Sequence, residues 1–356
     1  MLLESMNDAV LQQDLEDIAR SDIDFRKMQG AVILVTGATG LVGSTAVKAL
    51  ALANREQDLH LTIRPLIRNE QKARAMYGQL WDRDCIQPVV ADITKELCVE
   101  GDVDYIIHGA SVTASKTMVT RPVETIDIAL MGTKNILELA KEKKTKSVVY
   151  LSSMEAFGVT DPSLDCVREE NLGYVDVTNV RSCYPEGKRM CELMCACYAA
   201  EYQVPAKVAR LAQTFGAGVP KEDGRVFAQF AKSAMAGEDI VLHTKGESTG
   251  NYCYTADCIR GILTILLNGV DAEVYTVANP STAIKIKDLA RLVADTISDG
   301  KSNVVFDIPE GNAFGYAPDV AMHLNSDKLQ SLGWKPRVDL PEMFERLCES
   351  FRQQGI

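Results

Sequence analysis

The chain has 356 residues, of which 46% are hydrophobic and 24% charged, ordinary proportions for a folded globular protein of one large domain or two joined ones. A formal net charge of -11 argues against nucleic acid as a partner, and no apolar run reaches membrane-spanning length. The acidic N-terminus lacks the basic start and apolar core of a signal peptide, and the 10 cysteines include no C-x-x-C pair, so a cytoplasmic protein with reduced thiols and no metal site is expected.

Ala9-Val10-Leu11, Leu15, Ile18 and Ala19 recur at helical spacing. Residues 1–30 are therefore predicted to form a helical extension that packs on the body of its own subunit or contacts another. From residue 31 the chain alternates strands with helices. The strands are predicted at Val32–Val35, His60–Ile67, Val89–Asp92, Tyr105–His108, Ser147–Leu151 and Ala206–Leu211, with Pro65 marking a bulge or an early end in the second. Long helices are predicted over Val123–Lys143 and Glu186–Tyr202. This alternation predicts an α/β fold, a Rossmann doubly wound parallel sheet over residues 31–212. Beyond residue 212 the pattern loosens, with helices at Arg225–Ala236, Ile259–Asn268, Ile286–Ser298 and Pro341–Arg352. Residues 213–356 are read as a smaller, discontinuous C-terminal substrate-binding lobe, with some segments returning to the sheet.

Three stretches carry chemistry. Gly37, Gly40 and Gly43 form a G-x-x-G-x-x-G after the first strand and before a helix, the setting in which a dinucleotide pyrophosphate sits on a helix N-terminus. Tyr184 and Lys188 are four residues apart, on one face of a helix, where an ammonium favours the phenolate and suits the tyrosine to act as a base. Ser152-Ser153-Met154-Glu155 follows the fifth strand and faces the ligand crevice. There Ser153 can hydrogen-bond a substrate oxygen and Glu155 can serve as a second acid or base.

Together these residues resemble an extended short-chain dehydrogenase/reductase of the NAD-dependent epimerase/dehydratase family. Thr36–Gly43, Ala91-Asp92-Ile93, His108-Gly109-Ala110-Ser111, the set Ser153, Tyr184 and Lys188, and Leu332-Gly333-Trp334-Lys335-Pro336 all match family motifs. Arg181-Ser182-Cys183-Tyr184-Pro185-Glu186-Gly187-Lys188-Arg189 resembles the R-S-C-Y-D-E-G-K-R of UDP-glucuronate decarboxylases. Pro122-Val123-Glu124-Thr125, Glu155 and Asp223-Gly224-Arg225-Val226 fit the same group. The resemblance implies a cofactor site of Gly37, Thr39, Gly40, Leu41, Val42, Gly43, Arg68, Asp92, Ile93, Gly109, Ala110, Ser111, Tyr184 and Lys188. It implies a nucleotide-sugar site of Thr113, Ser153, Met154, Glu155, Gln213 and Arg225. Tyr184 would take the proton of the sugar 4-hydroxyl, and the 4-keto intermediate would then decarboxylate, dehydrate or epimerise. The family commonly dimerises through a four-helix interface, which would here use Val123–Lys143 and Glu186–Tyr202 and make Cys191, Cys195 and Cys197 packing residues.

Four departures qualify this. Met154 replaces the aspartate acid of 4,6-dehydratases. Gly250 and the stretch Asn312-Ala313-Phe314-Gly315-Tyr316 lack arginines expected to grip a diphosphate, which Lys221, Arg225 and Lys245 would have to offset electrostatically. Arg68, with Arg64 and Lys72 near it, stands where an acidic residue would bind the ribose of NAD, and leans toward NADP. NAD is expected, with NADP the alternative. The competing functions are an NADPH-dependent keto-sugar or aldehyde reductase and a non-catalytic cofactor-binding regulatory protein.

Overall fold

The computed structural model describes residues 3–309 and 320–356. Its helices are α1 (Ala9–Ala19), α2 (Leu41–Gln57), α3 (Glu70–Tyr77), α4 (Ser115–Thr120), α5 (Pro122–Lys143), α6 (Cys183–Tyr202), α7 (Val226–Ala236), α8 (Thr255–Asn268), α9 (Ile286–Ile297), α10 (Asp327–Gln330) and α11 (Leu340–Gln353). The strands of the main sheet are β1 (Val32–Thr36), β2 (Thr62–Ile67), β3 (Val89–Val90), β4 (Tyr105–His108), β5 (Ser147–Ser153), β6 (Ala206–Leu211) and β7 (Val274–Val277). Three short two-stranded ladders lie outside it: Gln213–Phe215 with Tyr252–Tyr254, Thr249–Gly250 with Ile284–Lys285, and Ile240–Leu242 with Val304–Phe306.

The main sheet runs β7-β6-β5-β4-β1-β2-β3, and every pair in it is parallel. Its strands are apolar on both faces because both faces are covered. Ile33, Val35, Ile107 and Val149 point into one core with α2, α8 and α11. Leu34, Ile106 and Val148 point into the other with α5 and α6. The strand order reverses between β1 and β4, and ligands of doubly wound sheets settle at such a switch point.

The strands and long helices lie where the sequence places them, with instructive exceptions. Pro65 neither bulges nor ends β2, which stays in register with β1 through Val35↔Pro65 and Thr36↔Leu66. Ile63 exchanges its amide and carbonyl with Cys85 and Gln87, so residues 63, 65 and 67 present their backbone groups to the β3 side. The missing N–H of Pro65 therefore falls between the Ile63↔Ile86 bridge and the Leu66↔Val89 pair, where it breaks no ladder. β5 continues two residues beyond Leu151 and carries Ser153. α6 begins at Cys183, which puts Tyr184 inside the helix. α3 and β7 were not anticipated. No described helix is long and apolar enough to cross a membrane.

The N-terminal segment packs on its own subunit. Glu4 is buried between the guanidinium groups of Arg55 and Arg83, and the Gln12 side-chain oxygen accepts the amides of Glu4 and Ser5 at 3.0 and 2.9 Å. Asp8 caps α1 through the Leu11 amide at 2.9 Å and also accepts the Ser350 hydroxyl. Asp14 takes a hydrogen bond from Tyr254 Oη at 2.6 Å and one from Arg346 Nη1 at 2.8 Å. Burial pushes the Asp14 carboxyl up to about 7, against the opposing pull of Tyr254 and Arg346.

Because Asp14 binds its proton more tightly in the folded chain, stability from this group is present at low pH and lost as pH rises toward 7. Asp14→Asn should flatten the fall in stability between about pH 4 and 7, a contribution on the order of a few kcal/mol. Urea midpoints of the two proteins across that range measure it, and parallel curves would exclude Asp14 as the titrating group.

Candidate active site

The crevice begins where β1 meets β4. Gly37 has φ +68, and a Cβ there would stand 2.6 Å from the carbonyl carbon and oxygen of Gly109. A Cβ on Gly43 would lie 2.3 Å from the Gly37 carbonyl oxygen, so the glycine turn, α2 and β4 approach as backbone against backbone. Gly40 caps α2 without a side-chain hydrogen bond, and no acidic residue lies in the first turn. The amides after Gly40, from Leu41 and Val42 onward, are thus left for an anion at a helix N-terminus. This cradle fits a dinucleotide pyrophosphate.

A buried chain of hydrogen bonds fixes the floor. Thr36 Oγ1 accepts the amides of Gly109 and Ala110 at 3.1 and 3.0 Å and lies 2.7 Å from His108 Nδ1. With both acceptor positions of Thr36 used, its hydroxyl donates to Nδ1, which assigns the ring proton to Nε2. Nε2 lies 3.1 Å from Thr133 Oγ1, which donates to Cys191 Sγ at 3.2 Å. Burial drives His108 down to about 3, so the ring is neutral and the chain keeps one direction throughout. Sequence reasoning placed His108 in a motif but missed this role, because the threonine and cysteine it joins are dispersed along the chain.

At the far end of the cradle, Asp92 is exposed and closes a turn on the amide and hydroxyl of Thr94, which hold its carboxyl low with help from Arg68. Arg68 is exposed, while Arg64 does not join it: its guanidinium bonds the Glu100 carbonyl, in the loop leading into β4. The expected basic group at this end thus loses Arg64. Ile93 turns its side chain into the core against Gly132, and its carbonyl accepts the Asn135 side-chain amide at 2.9 Å. Ser111 is half-buried and Thr113 exposed in the segment after β4.

Ser153, Tyr184 and Lys188 meet at the end of β5. Lys188 Nζ is buried and donates to the Leu151 carbonyl at 2.7 Å, 4.8 Å from the Tyr150 ring centre and 5.6 Å from that of Tyr184. Burial lowers the ammonium to about 8. Burial and then the Glu155 carboxylate raise Tyr184 to about 12, while Ser153, Arg181 and Arg225 pull it down. Beneath them, Glu192 accepts the Ser152 hydroxyl at 2.5 Å and pairs with Arg210, a buried ion pair whose Nη1 also reaches the Glu169 carbonyl at 2.7 Å. The network anchors the strand end and α6 to each other.

Two expected roles change. Glu155 is not a free acid or base: both its oxygens lie at 2.9–3.0 Å from Arg181 Nη2. Arg225 is not a free phosphate grip, because Asp223 holds it through both carboxylate oxygens at 2.6–3.1 Å while it stacks on Phe227. Lys221 and Lys245 are exposed. Met154 is half-buried against the core, and Gln213 opens the strand beside Tyr252–Tyr254. Gly250 has a physical reason: a Cβ there would stand 2.9 Å from Tyr252 Oη, so the tyrosine fills the space an arginine would need. The stretch Asn312–Tyr316 lies outside the described residues.

A doubly wound sheet with a glycine cradle at its switch point and a Ser-Tyr-Lys set at the next strand end defines a nicotinamide-dinucleotide enzyme fold. The chain belongs to the NAD dependent epimerase/dehydratase family, whose model matches residues 33–278. It is 29% identical to UDP-glucuronic acid decarboxylase 1 of Xenopus tropicalis, over 90% of this chain and 72% of that one. It is also 29% identical to UDP-glucuronic acid decarboxylase 6 of Arabidopsis thaliana, over 90% and 88%. The fold matches that of a UDP-glucuronic acid 4-epimerase variant from Bacillus cereus, solved with NAD and a UDP-4-deoxy-4-fluoro-glucuronic acid (TM-score 0.75, 20% identity, 91% and 99% coverage). It also matches that of a dTDP-glucose 4,6-dehydratase of Streptomyces venezuelae (TM-score 0.73, 20% identity, 90% and 97% coverage).

Gly37→Ala should cost about 1–3 kcal/mol in strain and weaken dinucleotide binding about tenfold or more. Thermal melting with and without NAD checks both. Unchanged melting and binding would mean that the close approach to Gly109 is not maintained in solution.

Proposed function

We propose that the protein modifies a nucleotide sugar through a 4-keto intermediate with NAD retained through the cycle, and that UDP-glucuronate decarboxylation is its reaction. The observation that carries this is the meeting of Ser153, Tyr184 and Lys188 with the Glu155–Arg181 pair at the end of β5. The 29% identity to two UDP-glucuronic acid decarboxylases supports the choice within the family. The half-buried thioether of Met154 offers no proton for dehydration.

Bound NAD supplies the hydride acceptor, and its cationic ring adds to the charge that favours a phenolate. Tyr184 takes the proton of the sugar 4-hydroxyl as C4 is oxidised, with Ser153 hydrogen-bonding the same oxygen. Lys188 holds a positive charge behind the ring, since its only described hydrogen bond goes to a carbonyl. A carboxylate at C5 is β to the new ketone, so carbon dioxide leaves with its bonding electrons passing to the enolate. C5 then takes up a proton from solvent, and Tyr184 returns its own to the oxygen at C4 as that carbon is reduced.

Incubation with UDP-glucuronate and NAD should give a product lighter by about 44 mass units, without net dinucleotide consumption. Tyr184→Phe should slow this by about 10²–10⁴-fold. Mass spectrometry of product and released cofactor reads both. The exposed Arg68 favours a second reading, an NADPH-dependent reductase. Stoichiometric NADPH consumption with a keto-sugar would establish that reading and end the first.

The same reading makes the protein a homodimer. Val123 and Ile126 on α5, and Met190 and Leu193 on α6, are exposed at helical spacing on adjoining helices, beside exposed Cys197. Leu193→Asp should convert a dimer to a monomer by light scattering. A monomeric wild-type protein would remove the interface.

A further inference from the structure

One cavity lies away from the crevice. It measures about 120 Å³ and opens between the turn after α1, α8 from Arg260 onward, and the segment that joins α10 to α11. No residue lining it belongs to the glycine cradle or to the Ser153–Tyr184–Lys188 set. A space of this size admits a molecule of several non-hydrogen atoms.

Arg260 lines the cavity, and only 7% of its side chain is exposed. Its Nη2 is spent on the Asp257 carboxylate and on the Lys335 carbonyl at 3.2 Å. Its Nε and Nη1 make no hydrogen bond among the described residues, which leaves the remaining N–H groups of a nearly buried cation unused. Asp257 does not take them up, because its other oxygen accepts the amides of Arg337 and Val338 at 2.7 and 3.0 Å. An acceptor in the cavity would meet these donors with charge-assisted hydrogen bonds.

The surroundings limit that acceptor. The charged groups in the lining, or bonded to it, are three cations and two carboxylates. Arg337 pairs loosely with the exposed Asp22 at 3.3 Å, Arg260 pairs with Asp257, and Lys27 bonds the Asn268 side-chain oxygen at 2.7 Å. Ser21 and Asn268 also bring the carboxyl ends of α1 and α8, which carry partial negative charge. This balance suits one negative charge and opposes two. The rest of the lining is apolar, from Ile23, Leu267, Leu332 and Trp334.

We infer that this cavity binds a small monocarboxylate with a short apolar tail, its charge held by the unused donors of Arg260. The site is separate from the reaction proposed above and does not depend on it. A ligand there touches residues 21–23, 260–268 and 332–337 together, and so ties the N-terminal extension to the segment before α11.

Fluorine NMR of the full-length protein carrying fluorotryptophan tests this. The chain has two tryptophans, and only Trp334 lines the cavity, so Trp81→Phe identifies the Trp334 signal. Propionate should move that signal alone and saturably, with half-effect on the order of 1 mM, within reach of so small a ligand. Formate, which lacks the tail, should bind about threefold more weakly or worse, and sulfate should not saturate. Arg260→Lys keeps a cation beside Asp257 but gives up the spare donors, and should raise the half-effect concentration about tenfold. Asp22→Asn removes a competing carboxylate and should lower it about threefold, a gain that misfolding cannot produce. A shift that grows without saturating, or that sulfate produces equally, would overturn the inference. So would an unchanged half-effect in both variants. If Arg260→Lys does not fold, the Asp22→Asn result decides alone.

Discussion

Everything in the crevice depends on two backbone turns meeting with no side chain between them. Gly37 stands so close to Gly109 that a methyl group would overlap its carbonyl. Thr36 then secures the contact by accepting the amides of residues 109 and 110. The consequence is geometric. With β1 and β4 joined this tightly at their carboxyl ends, the start of α2 and the end of β5 are held at fixed positions on either side of one gap. The anion cradle and the Tyr184–Lys188 pair are therefore placed relative to each other by the sheet itself, not by flexible loops.

The pair is tuned by exclusion of water. Burial lowers the proton affinity of Lys188, while a carbonyl and the face of Tyr150 take the place of solvent around its charge. Tyr184, half-buried and facing Glu155, holds its proton more firmly than free tyrosine. In the resting protein both groups are thus protonated at neutral pH. A positive charge bound beside Tyr184 would favour the phenolate and draw its proton affinity back down.

Much of this was legible in the sequence. The alternation of apolar strands with helices located the sheet, and the glycine spacing and the Tyr184–Lys188 interval marked both halves of the candidate site. What was not legible has one physical character: which side chains come to face one another, whether far apart in sequence or two residues away. Nothing near Glu155 in sequence reveals that Arg181 will occupy its carboxylate, and Asp223 beside Arg225 could be read only once both were seen on one turn. Pro65 misled because its effect depends on which neighbour its nitrogen faces, a matter of register. Gly250 was read as a lost arginine, whereas Tyr252, two residues on, fills the space.

The latch between the N-terminal helix and α11 bears on how the chain is made. Ala9 bonds Gln353, Asp8 receives Ser350 and Asp14 receives Arg346, each across more than 330 residues of sequence. At the usual pace of about 5–20 residues per second, α1 emerges from the ribosome roughly 20–60 s before its partners exist. During that interval Leu11, Leu15 and Ile18 can be covered by α2, but Asp8 and Asp14 wait for α11 to arrive. Contacts of such long range slow the final closure of a fold, so the closure of this one waits on the synthesis of α11.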